Sequence, residues 1–204
     1  LDNKVKDWFK IGGSLAFTKT NEKITLNDGG DGVIMQSLIM MPSVGVRDID
    51  GNYAGPSNPW GANYNPVAAA LQRNNNLARQ RLMSNVFGDI NFTKALTFRS
   101  ELSFDNNHSL GKAFQPTFKW GALENNENRL RQREENNFFW AIKNYLTYDK
   151  KFGKHGFVAL LGQEAQKSNY SGSTVTVANL PSNDIQELSQ GTYIGTPGSW
   201  RGSG

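Results

Sequence analysis

The chain has 204 residues, 37% of them hydrophobic, with a net charge of +4 and a mean hydropathy of −0.56. That length suits one large domain or two small ones. No run approaches the ~18 apolar residues of a transmembrane helix, cysteine is absent, which excludes a disulfide framework and thiolate metal ligands, and the scattered basic residues, densest at "RLRQREE", leave no electrostatic footprint for nucleic acid.

The opening "LDNKVKDWF" carries no leader pattern. Together with the turn-rich "GSWRGSG" at the other end, it reads as cut from a longer chain. "KDWFKIGGSLAFTKT" then alternates with period two. Phe9, Ile11, Leu15 and Phe17 fall on one strand face, and Lys10, Ser14, Ala16 and Thr18 on the other. Gly12 and Gly13 mark a bend or a close packing contact.

Residues 20–78 break this rhythm. "LNDGGDG" is a loop. "VIMQSLIMMP" suits a short helix or a buried strand, stopped at Pro42. "VRDIDGNYAG" reads as a small hairpin around Asp50-Gly51. "NPVAAALQR" predicts a short helix with Asn65 as N-cap and Pro66 at its first position.

Alternation returns at "RLMSNVFGDINF", with Leu82, Val86, Ile90 and Phe92 opposite Asn85, Asp89 and Asn91. After a tight turn at Thr93–Lys94 comes the clearest strand, "ALTFRSELSFD". Leu96, Phe98, Leu102 and Phe104 point one way; Thr97, Arg99, Glu101, Ser103 and Asp105 point the other. Residues 106–136 read as long, polar and irregular. "FFWAIKNYLTY" and "GFVALLGQEAQK" form a hairpin across Lys150–His155, with Trp140, Ile142, Leu146 and Tyr148 on one face. After Lys167 the chain reads as polar loop to its end.

Five strands emerge, and their connections alternate between long and short. Loops beyond about 15 residues are uncommon in compact soluble domains. Outer-membrane barrels have short turns on the periplasmic side and long loops outside. A soluble antiparallel β-sandwich with long insertions shows the same strand alternation. Five strands cannot close a barrel of this kind, so the barrel reading implies a fragment. In that reading Tyr148 and Phe152 join the aromatic girdle. Arg99, Glu101 and Asp105 face the lumen, because arginine toward lipid costs about 2–4 kcal/mol near the midplane.

Several segments resemble one family: "MPSVGVRDIDGNYAGP" followed by "NPVAAAL", the hairpin "RLMSNVFGDINFTKALTFRSELSFD", and "NYLTYDKKFGKHGFVALLGQEAQK" with "NLPSNDIQEL" after it. Their order and spacing are similar to those of SusC/RagA-type TonB-linked outer-membrane transporters along nearly all of the chain. The resemblance implies an all-β fold: an antiparallel transmembrane β-barrel segment of about five strands, whose long extracellular loops carry short helices. Residues 1–204 would be a partial barrel domain without signal peptide, TonB-contacting segment or plug. It implies an outer-membrane importer of glycans or peptides, energised by TonB through parts absent here and capped by a SusD-like lipoprotein.

Catalysis has no constellation to stand on. His108 and His155 fall in loop or turn, there is no nucleophile elbow or phosphate loop, and the carboxylates of "ENNENRLRQREENN" read as a solvated loop. We therefore expect no enzyme, cofactor or catalytic residue. Asp48, Asp50 and Asn52 begin like a calcium loop, but the twelfth position is Pro59 rather than glutamate, so a hairpin turn fits better and no metal is expected. The candidate substrate contacts are loop residues: Trp60, Tyr64 and Trp120 as flat stacking faces, and Asn63, with Asn58 and Asp50, as hydrogen-bond partners. The competing reading is that these aromatics pack the loops.

Overall fold

The computed structural model describes residues 1–24, 32–57, 61 and 63–204. Strands β1 (Asp2–Lys6) and β2 (Phe9–Lys23) precede two short helices, α1 (Val33–Ile39) and α2 (Pro66–Gln72). Then come β3 (Asn74–Asn91), β4 (Leu96–Gln115), the small strands β5 (Phe118–Trp120) and β6 (Leu123–Asn125), and the long pair β7 (Arg129–Phe152) and β8 (His155–Ala178). Strands β9 (Thr192–Tyr193) and β10 (Gly198–Ser203) complete the chain.

One antiparallel eight-stranded sheet runs β1-β2-β3-β4-β7-β8-β10, with β9 beside β8; β5 and β6 pair separately. The five long strands expected from the sequence are β2, β3, β4, β7 and β8, and the all-β barrel-segment architecture is present. The sheet is open, with β1 and β10 as its edges. Short turns join β1–β2, β3–β4 and β7–β8 at one end; the long connections lie at the other. Gly153 takes φ +61° in the β7–β8 turn, a conformation glycine adopts without steric cost. At the same end the Lys4 ammonium hydrogen-bonds Asp7 at 2.7 Å and holds its carboxyl below the usual range.

Unbroken register carries one face parity across the five strands. Phe9, Ile90, Phe98, Leu146 and Leu161 lie in one row, and Gly13, Val86, Leu102, Ile142 and Ala165 in another. From Leu96 to Phe104 the strand advances about 27 Å, which a barrel tilt of about 40° turns into roughly 20 Å of height. Aromatic residues border this apolar band at both ends. Tyr148, Phe152 and Phe157 stand on the short-turn side, with Tyr148 and Phe157 in tilted contact at 6.2 Å. Phe17, Phe104, Phe138 and Trp140 stand on the long-loop side. Gly12 shows close packing rather than a bend: a Cβ there would lie 2.6 Å from the Phe87 ring that covers it.

Two expectations are corrected. Residues 106–115 and 129–137 are not irregular but continue β4 and β7, and Ser168–Ala178 continue β8 rather than forming a terminal loop. Strand β10, antiparallel to β8 through Trp200↔Gly172, was not read at all. These upper halves rise beyond the apolar band, where both faces meet polar surroundings and hydrophobic alternation stops. Ladder hydrogen bonds hold their middles, and Phe114, Leu130 and Val177 bury their ends in a small core.

The small cores sit among the long connections. Phe114, Leu130, Val177 and Leu180 form one, flanked by Val175 and Leu188. Ala68, Ala69 and Trp120 form the other, with Tyr53, Tyr64, Phe118 and Leu123 packed against them.

Candidate functional site

The face opposite the apolar band is polar and paired. Arg99 forms a bidentate bridge to Asp89 across β3–β4, at 2.6 and 2.8 Å. Arg81 does the same to Asp105, at 3.0 and 2.5 Å. Between them the Asn85 amide donates to Glu101 at 2.7 Å and Ser103 at 3.0 Å, and Lys143 approaches Glu164 at 3.7 Å. The Arg99 guanidinium also covers Phe87, 4.4 Å from its centroid. Planar guanidinium matches carboxylate geometry in two parallel bonds, so these pairs fix strand register as well as charge. The structure thus sets Arg99, Glu101 and Asp105 on one face, each with a cross-strand partner.

At the long-loop end, α2 and the β5–β6 hairpin build a platform. Asn65 starts α2 as expected: its side-chain oxygen accepts from the Ala68 amide at 3.0 Å. Its amide group donates to Val46 and Ala54 carbonyls at 2.9 and 2.7 Å, so one buried side chain ties helix and hairpin together. Pro66 follows at the first helical position. Trp120 stacks on Phe118 at 3.8 Å and 16° and meets Tyr64 edge-on at 6.1 Å. Gly55 and Gly121 let the two backbones touch. Gly121 has φ +61°, and a Cβ on Gly55 would lie 2.2 Å from the Trp120 carbonyl oxygen.

Asparagines bracket the neighbouring segment. Asn128 exchanges hydrogen bonds with the Leu180 backbone at 3.1 and 2.7 Å. Asn183 accepts from the Thr117 amide and donates to its carbonyl, at 2.9 and 3.0 Å. "NLPSNDIQEL" is therefore docked beside β5, not trailing. Asp48 accepts from the Asp50 and Asn52 amides at 3.0 and 2.8 Å, and Arg47 bridges to Tyr53. The residues that resemble a calcium loop are an Asx-stabilised hairpin.

Of the sequence-derived contacts, Trp120 is 2% exposed, its ring enclosed by Phe118 and Tyr64. Tyr64 and Asn63 are both half-buried, with the Asn63 amide 3.4 Å from the Ile39 carbonyl. Trp60 and Asn58 lie outside the described residues. Sequence reasoning missed Trp200, which lies over Gly172 with Arg133 5.0 Å from its centroid. It also missed the cavity of about 460 Å³ between α2 and the strands, lined by Tyr64, Arg73, Arg129 and Arg131 among others. The alternating "RLRQR" was the available signal for the latter, because alternate residues of a strand share a face.

No family model matches the chain. TonB-dependent receptor P3 of Formosa agariphila is 27% identical over 176 residues, which cover 84% of this chain and 17% of that protein. A solved RagAB peptide transporter superposes with a TM-score of 0.78 at 18% identity, over 99% of this chain and 24% of that one. The RagAB peptide importer in its open-open state gives 0.76 at 19% identity, over 99% and 23%. This chain therefore spans about a quarter or less of the proteins it is similar to. Its sequence is similar to that of a TonB-dependent receptor, and along nearly its whole length it has the fold of part of the RagAB transporter structures.

Proposed function

We propose that residues 1–204 are part of the barrel domain of a TonB-dependent nutrient importer in the outer membrane of a Gram-negative bacterium. The complete protein takes up oligomeric nutrients, glycans or peptides. It draws energy from TonB through parts outside this chain and works with a SusD-like lipoprotein as its lid. One observation carries this reading: a sheet with an apolar band between two aromatic borders on one face and paired charges on the other. Lipid suits the first face and a water-filled lumen the second. Arg99, Glu101 and Asp105 then line the lumen and meet plug or water. The long-loop end is its mouth, where Asn63 and Tyr64 are offered to cargo and Trp120 braces the platform behind them; Trp60 stays a candidate cargo contact on its sequence alone.

The test is uptake by the full-length protein with its lid partner in intact cells, using fluorescent oligosaccharides and peptides. Import that stops when the proton gradient is collapsed supports the reading, and the cargo that enters selects glycan or peptide. A full-length product that binds carbohydrate at the surface without import would replace it with a non-transporting β-domain.

A further inference from the structure

We infer that the cavity between α2 and the sheet is a receptor site for carboxylate groups carried by the cargo. Arg129, Arg131 and Arg133 alternate on β7 and so project to one side. The outer two are neutralised, Arg129 by Glu127 and Arg133 by Glu135. Among the described residues Arg131, between them, has only the Thr174 hydroxyl at 3.4 Å, beyond ordinary hydrogen-bond length. From the opposite wall comes Arg73, the residue that ends α2, its guanidinium 4.9 Å from the Tyr64 ring centroid. The Arg73 Nε is buried with no partner among the described residues.

Both guanidinium groups open onto the same space of about 460 Å³, whose lining includes Ala69 and Ala70 and, among the described residues, no acidic side chain. That volume lies within the usual range for a ligand pocket. Like charges gathered in a partly enclosed space repel, and a buried donor without an acceptor is costly. An incoming carboxylate relieves both: it accepts from a planar guanidinium in two parallel bonds. The alanines leave room beside the charged groups for the cargo's uncharged portion. The inference rests on the import reading only in treating this end as the cargo's path.

The experiment uses the purified full-length transporter in detergent. Binding of penta-glutamate is compared with penta-glutamine, and binding of tri-galacturonate with maltotriose. The acidic member of at least one pair should bind tighter, and the difference should shrink as salt screens the charges. The preference should fall by about tenfold in Arg73→Gln, whose Nε is buried, as expected when one partner of a desolvated charged contact is removed, and by a smaller factor in Arg131→Gln, whose side chain is exposed. A preference confined to penta-glutamate assigns a peptide source; one confined to tri-galacturonate assigns a glycan. Heat-modifiable migration on gels confirms that each variant is a folded barrel. Equal binding of acidic and neutral probes, or a preference untouched by both substitutions, overturns the site. Import is scored separately with neutral oligomers. Import without acid preference removes this site and leaves the transporter; acid preference without import does the reverse.

Discussion

Arg99 sits in the middle of a strand whose other face is apolar, and its partner decides what it does there. Asp89 is the more enclosed of the two, its side chain 14% exposed against 41% for Arg99. Removing the guanidinium leaves a carboxylate with little water and no counter-charge. Arg99→Met should cost about 1–2 kcal/mol, less than for a fully buried pair because the arginine side is half-solvated. Denaturant unfolding of the full-length barrel in detergent measures this, and exchanging the two charges should restore part of the loss. No recovery in the exchanged variant would show that shape, not charge, matters at the site. Asn65 is a different case, since no water competes for its side chain, which is 2% exposed. Asn65→Ala strands two carbonyls and the Ala68 amide in the first turn of α2, a loss of about 2–3 kcal/mol confined to the loop. Limited proteolysis should cut the 33–73 region faster while barrel migration on gels stays unchanged. A third polar residue lies on the apolar side. Asn144 donates to Gln163 at 2.8 Å in the row that contains Gly88 and Ser100. Pairing the two amides lowers the cost of a polar group facing lipid.

At the scale of elements, β4 separates the two faces most sharply. Single cysteines at Leu96, Phe98, Leu102 and Phe104 should resist a membrane-impermeant thiol reagent in the full-length protein, whereas those at Thr97, Arg99, Glu101 and Ser103 should react. Residues 1–204 contain no cysteine, and any cysteine elsewhere in the full-length protein is first replaced by serine. The reverse pattern would mean a one-residue slip, which turns every side chain over. The lower halves of the strands were legible in the sequence because this face alternation is strong there. The upper halves were not. Asn106, Asn107, His108 and Ser109 run on as strand with no apolar member, paired on both sides by β3 and β7. Only "STVTVA", with its β-branched residues, signalled that β8 goes on to Ala178. Helix α2 was legible from its cap and its proline, which are local signals. The stacked place of Trp120 was not, because its burial depends on Tyr64 and on the close approach of Gly55, both distant in sequence. Trp120→Ala should therefore act first on the β5–β6 hairpin, costing about 3–5 kcal/mol of local stability. Faster proteolysis there, with cargo affinity reduced only as the hairpin loosens, is the expected result. An intact hairpin with lost affinity would return Trp120 to direct cargo contact.

For the molecule as a whole, an open sheet poses a problem that a closed barrel does not have. Strands β1 and β10 each leave one row of backbone donors and acceptors unpaired, a template for pairing with another chain. The apolar band adds a second hazard: Leu15, Phe17 and Leu161 are 71%, 63% and 71% exposed. Val158 and Leu160 are also open, each 65% exposed, on the side that otherwise carries charge, so β8 is apolar on both faces near the short turn. Covering one such side chain typically gains about 1.5–3 kcal/mol, and the small cores of the long-loop end lie too far along the strands to cover any of them. Residues 1–204 expressed alone and refolded without detergent should therefore elute in the void volume or precipitate. In a mild detergent the same chain should remain dispersed, because micelles cover the band, yet its free edges should still give a mixture of sizes rather than one species. Size-exclusion chromatography in both conditions, followed by a thermal melt of any discrete peak, separates the two hazards. A sharp monomer peak with a cooperative melt in plain buffer would mean that the apolar face finds a protein partner within this chain. The sheet would then be one layer of a soluble sandwich, and the lipid-facing assignment of Leu96, Phe98, Leu102 and Phe104 would fall with it.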